Sequence, residues 1–225
     1  MFKSIAILAL SLSIVGCAVT PPQTIATPNR DNFNIAKDAA VVSSGKPLHF
    51  VAFEKKTSSI VTENGKRFKN SLFDFGSGAQ WNSDYVVTAK HVDFIKDSVY
   101  VSKSKIDIQF VKRHSDVFIP VWRNAQPLEN LTFVGINQEA KKVAFSGKDT
   151  GKYAATTVNE MVYLVDTEIQ GGMSGGPVYS DDGSIVGIGT GVLSGEALGF
   201  DKNKLYSAYI PLSVIQKEWE KFQNQ

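Results

Sequence analysis

The stretch Gly171-Gly172-Met173-Ser174-Gly175-Gly176-Pro177 decides how this chain is read. A serine hydroxyl is a poor nucleophile. It needs a base to take its proton and donors to hold the oxyanion that its attack creates. Glycines around the serine let the backbone turn sharply and point amide N–H groups into one small space. In such a turn the N–H groups of Gly172 and Ser174 make an oxyanion hole. A plain glycine-rich turn between strands has a similar composition, so the reading depends on a base elsewhere in the chain.

Three histidines are available: His49, His91 and His114. His91 closes the apolar run Tyr85-Val86-Val87-Thr88-Ala89-Lys90-His91, and Gly76-Ser77-Gly78 gives a strand-and-turn signal upstream. His49 lies in the apolar run Leu48-His49-Phe50-Val51 and reads as a structural strand residue. His114, between Arg113 and Ser115, reads as a solvated loop position. A third group, a carboxylate, must fix the histidine tautomer. Asp116 precedes the apolar run Val117-Phe118-Ile119. Asp107 is its competitor, alternating with Ile106, Ile108 and Phe110 in a way that predicts a strand with the aspartate facing solvent.

Thr88-Ala89-Lys90-His91, Asp116-Val117-Phe118-Ile119 and Gly172-Met173-Ser174-Gly175-Gly176-Pro177 together resemble the three signatures of chymotrypsin-like (trypsin-like) serine proteases, in that family's order. Gly76-Ser77-Gly78, Ile169-Gln170-Gly171-Gly172, Ile185-Val186-Gly187-Ile188 and Tyr209-Ile210-Pro211 resemble its bacterial branch, the high-temperature-requirement proteases and glutamyl endopeptidases. The resemblance runs from about Phe50 to the end of the chain. It implies an all-β fold of two six-stranded antiparallel barrels with a C-terminal helix. It also implies peptide-bond hydrolysis by His91, Asp116 and Ser174, without a cofactor or metal. Glu168, Ile169, Gln170, Thr190, Gly191 and Val192 match positions that line the family's primary substrate pocket. Glu168 would favour a basic side chain there unless it is only a surface charge. Gly189 stands where glutamyl endopeptidases carry a histidine. Met173 replaces the aspartate that pairs with a newly cut N-terminus in the digestive enzymes, so that activation route is not expected.

The rest of the chain is consistent with this. Asn64-Gly65, Gly147 to Gly151 and Asp181-Asp182-Gly183 read as turns between strands, and Val99-Tyr100-Val101 as a strand. Ser213 and Gln216 have capping-box spacing, and Ile215, Trp219 and Phe222 then fall on one face of a terminal helix. Of the 225 residues, 43% are apolar, enough for a sizeable core. A formal charge of +2 is too small to make nucleic acid the main partner.

The N-terminal region carries a separate signal. Lys3 precedes the apolar run Ile5 to Val15, which is shorter than the roughly 20 residues a membrane-spanning helix needs and fits a signal-peptide core. Ile14-Val15-Gly16-Cys17 resembles the lipobox of bacterial lipoproteins, in which cleavage before the cysteine leaves its thiol to carry diacylglycerol. The expected organisation is a signal peptide over 1–16, lipidated Cys17 with a polar tether over 17–45, and a protease domain over 46–225. The expected location is membrane-anchored and exported, facing the periplasm from the outer membrane if the host has two membranes.

Other chemistries fail on the residues. Gly172-x-Ser174-x-Gly176 also fits the nucleophile elbow of α/β-hydrolases, but that fold needs a histidine after the serine and none follows His114. Cys17, the one cysteine, sits at the processing site, and no His-Glu-x-x-His motif offers zinc ligands. The alternative from another class is an inactive protease-like lipoprotein that only binds proteins.

Overall fold

The computed structural model describes residues 49–63, 66–116, 120–156 and 161–225. Cys17 with its signal and tether, the turn Asn64-Gly65 and the run Val117-Phe118-Ile119 lie outside the described residues.

The first half of the chain forms five strands. They are β1 (Phe50–Glu63), β2 (Lys66–Gln80), β3 (Tyr85–Thr88), β4 (Ser98–Val101) and β5 (Gln109–Lys112). They make one antiparallel sheet in the order β1-β2-β3-β5-β4, so the described part of this half has five strands where six were expected. β1 and β2 pair along their whole length, from Phe50↔Ala79 to Glu63↔Lys66. Only Gly78 to Gln80 of β2 also pair with β3. Beyond Gly78 the hairpin is therefore a two-stranded ribbon.

The second half forms β6 (Asn130–Ile136), β7 (Lys142–Ala154), β8 (Val162–Asp166), β9 (Pro177–Ser180), β10 (Ile185–Ser194) and β11 (Leu205–Pro211). These close into a six-stranded antiparallel barrel in the order β10-β11-β8-β7-β6-β9. Leu131, Phe133, Val165, Val178, Val186 and Tyr209 fill one core cluster. The chain ends in helix α1 (Leu212–Gln223), which buries Ile215 and Trp219. Trp219 packs against Trp81, Tyr85 and Phe110 of the first half. The helix that follows the last barrel strand thus grips the other sheet.

Three local expectations need correction. Gly147 to Gly151 is no turn between strands; it lies inside β7, where the pairing with β8 slips between Asp149 and Tyr153. Gly151 takes a φ of +67° at this irregularity, a conformation that glycine adopts without strain. Ile106 to Ile108 precede β5 rather than belong to it. The capping box at Ser213 is not formed: the helix is capped at Pro211, with no side-chain hydrogen bond.

Candidate active site

β3 and β5 run antiparallel with Thr88 opposite Gln109. The residues that follow β3 are therefore brought beside those that precede β5. The Lys90 N–H donates to the Asp107 carbonyl at 3.2 Å. The His91 N–H donates to Asp107 Oδ1 at 2.9 Å, and His91 Nδ1 lies 2.6 Å from Asp107 Oδ2. Thr190 Oγ1 donates to the same Oδ2 at 2.7 Å. Asp107 is 1% exposed, so the alternation that predicted a solvent-facing aspartate is overturned. The apolar neighbours flank a carboxylate that faces inward.

The charge state follows from these contacts. Burial pushes the Asp107 carboxyl up, but the hydrogen bond from His91, the His91 charge and the Thr190 hydroxyl outweigh it and hold the group below its ordinary value. The hydrogen bond to Asp107 raises His91 against a smaller opposing effect of burial. A carboxylate accepts and cannot donate, so neutral His91 keeps its proton on Nδ1 and leaves Nε2 with a free lone pair. The imidazole side chain remains 49% exposed.

Asp116 is not brought to His91. Its side chain is 97% exposed, and its Oδ1 lies 2.9 Å from Nε2 of His114, whose Nδ1 meets Asp84 at 2.8 Å. Both contacts raise the exposed His114, Asp84 more than Asp116. His114 is thus a surface residue, as expected. His49 is buried just ahead of β1, and burial lowers it to about 4.

Ser174 stands in the turn between β8 and β9. Two glycines make that turn possible. A Cβ on Gly175, whose φ is +84°, would fall 2.1 Å from Thr88 Oγ1 and 2.2 Å from Ser77 O. One on Gly176 would fall 2.1 Å from Val134 O. The serine turn therefore lies directly against the end of β3, three residues before His91. Ser174 Oγ donates to the Thr190 carbonyl at 3.4 Å, a long bond that holds its proton weakly. Thr190 touches the serine with its backbone and Asp107 with its side chain, which gathers Ser174, Thr190, Asp107 and His91 into one cluster.

The amides of the turn divide into two sets. Met173 N–H is held by Gln170 O, Gly175 N–H by Gly189 O and Gly176 N–H by Met173 O. The N–H groups of Gly172 and Ser174 have no acceptor among the described residues. Gly172 has a φ of +91°, and a Cβ there would meet Ile136 O at 2.7 Å. Met173 is 1% exposed and packs in the barrel core, where its sulfur accepts the Gln170 N–H at 3.4 Å.

The expected pocket residues have mixed placements. Glu168 and Gln170 are exposed, and Gln170 Oε1 accepts from Asn137 Nδ2. Ile169 is buried in the barrel core, its N–H donating to Ser207 Oγ at 3.0 Å. Val192 is half-buried against the same core, and Gly191 has open space where a Cβ would stand. Thr190 donates its hydroxyl to Asp107, a contact with no sequence signal because it joins residues 83 apart.

Neither the comparison with protein-family models nor that with curated protein sequences finds a match. Solved structures do match. An HtrA-type protease, AlgW, solved with a decapeptide, superposes with a TM-score of 0.52 at 15% identity, covering 78% of this chain and 63% of that one. This chain therefore spans under two thirds of that relative's length. The Rv3671c protease, in an inactive form, gives 0.51 at 15% identity, over 66% of this chain and 84% of its own. The chain has the chymotrypsin-like protease fold.

Proposed function

We propose that this protein is a serine endopeptidase that uses Ser174 as nucleophile, His91 as general base and Asp107 as the carboxylate that orients it. The observation that carries the reading is the buried Asp107 carboxylate. It fixes the Nδ1–H tautomer of His91 while Thr190 ties it to Ser174. His91 Nε2 takes the Ser174 proton as Oγ attacks a peptide carbonyl. The N–H groups of Gly172 and Ser174 hold the resulting oxyanion. His91 then protonates the leaving amine, and water attacks the acyl-enzyme by the same route. The fold, shared with proteases and with one that holds a decapeptide, favours a peptide substrate.

Ser174 donates to Thr190 rather than to His91. This favours a second reading, a protease-like protein that only binds. Catalytic hydrogen bonds often tighten only when substrate arrives, so the contact does not decide between the two. Casein hydrolysis decides: the enzyme reading expects turnover by the parent protein and none by Ser174→Ala, while equal inactivity of both supports the binding reading. We further propose export and lipid anchoring at Cys17, on the strength of Ile14-Val15-Gly16-Cys17 behind its apolar run. An unmodified Cys17 in the mature protein, measured by mass spectrometry, would reject the anchor.

A further inference from the structure

Gly76-Ser77-Gly78 is a sequence motif that the proposed mechanism leaves without a task. Ser77 lies in β2, opposite Ala52 of β1, and is 0% exposed. Its neighbours allow close approach to other chain segments. A Cβ on Gly76 would fall 2.3 Å from a Val92 methyl, and one on Gly78 would fall 2.6 Å from Val86 and 2.8 Å from Phe53. Gly135 leaves room for the hydroxyl itself, since a Cβ there would fall 2.8 Å from Ser77 Oγ.

Every polar atom of Ser77 outside its pairing with β1 meets the active-site turn or a strand that supports it. Its N–H donates to Ser174 O at 2.9 Å. Its carbonyl accepts from Thr88 Oγ1, on the histidine strand, at 2.6 Å. Its hydroxyl donates to Gly172 O at 2.8 Å and accepts the Ile136 N–H at 3.0 Å. The peptide between Gly172 and Met173 is thereby gripped at both ends, by Ser77 Oγ on its carbonyl and by Gln170 O on its N–H. The open N–H of Gly172 belongs to the same residue, so the grip on the carbonyl limits where that N–H can point.

We propose that Ser77 is a positioning residue for the oxyanion hole, its hydroxyl setting the direction of the Gly172 N–H. This rests on the reading of Ser174 as nucleophile. Removal of one oxyanion donor outright costs about 100- to 1,000-fold in rate. Ser77→Ala leaves the donor in place but releases its support, so a loss of about 10- to 100-fold is expected. Ser77→Cys replaces the hydroxyl by a larger thiol, a weak hydrogen-bonding group, and should lose a similar amount, so the outcome does not rest on the alanine variant alone.

The test is the kinetics of fluorophosphonate labelling, read as a rate constant, a labelled fraction at the plateau and a pH midpoint. The proposal expects a full plateau, the slower rate given above and the parent's midpoint, because His91 and Asp107 are untouched. A variant that labels at the parent rate overturns it and leaves the Ser174 reading standing. A reduced plateau with an unchanged rate for the reacting fraction also overturns it, because that is what a purely structural serine would give. No labelling of the parent brings down the nucleophile assignment and this proposal with it.

Discussion

Asp107 is buried and still ionised because three donors converge on it: the His91 ring N–H, the His91 backbone N–H and the Thr190 hydroxyl. Changing it to asparagine keeps the shape but allows the wrong histidine tautomer, so Asp107→Asn should lose about 10⁴-fold in kcat, or about 5.4 kcal/mol of transition-state stabilisation. Asp116→Asn should leave kcat within about twofold, since its carboxylate is a solvated partner of His114 and is not in contact with His91. Steady-state kinetics on the two variants, with circular dichroism as a folding control, check both. The pH dependence has a definite sign. Asp107 stabilises the imidazolium and raises His91, and only neutral His91 can act as base. Activity should therefore rise with pH, with a midpoint above the ordinary imidazole value of about 6.5. Residual activity of Asp107→Asn should show a lower midpoint. Ser174 and His91 stood out in the sequence because their demands are local, a glycine-rich turn and the end of an apolar strand. Asp107 enters the sequence analysis only as the competitor of Asp116, because its contact with His91 depends on how β3 pairs with β5, which no spacing reveals.

Among the elements, an apolar run of β-branched and aromatic residues marks β4 in the sequence, and a tight turn at Gly183 marks the β9–β10 hairpin. Tertiary packing overrides the local pattern at the glycines inside β7 and at Ile106 to Ile108. Helix α1 was legible from Ile215, Trp219 and Phe222, though not the sheet it would cover. Trp219 is 2% exposed among the rings of Trp81, Tyr85, Phe110 and Phe222. Trp219→Ala removes that contact and should cost about 3–5 kcal/mol. At about 2–4 °C per kcal/mol for a domain of this size, thermal unfolding should shift down by roughly 6–20 °C. A shift of only a degree or two would mean that the helix contributes little to holding the first sheet.

Across the whole molecule, the candidate site belongs to neither half alone. His91 and Asp107 come from the end of the first sheet, Ser174 and Thr190 from the closed barrel, and Ser77 bonds across to the serine turn. The order His, Asp, Ser along the chain suggested this assembly, and the first sheet, the closed barrel and the terminal helix supply it. In the proposed mechanism this assembly makes Ser174, among all the serines of the chain, the nucleophile. Peptide mapping by mass spectrometry after fluorophosphonate treatment tests it most directly. One adduct is expected, on the peptide containing Ser174, absent from Ser174→Ala and formed far more slowly in His91→Ala. An unlabelled parent protein, or an adduct that persists in Ser174→Ala, would contradict it.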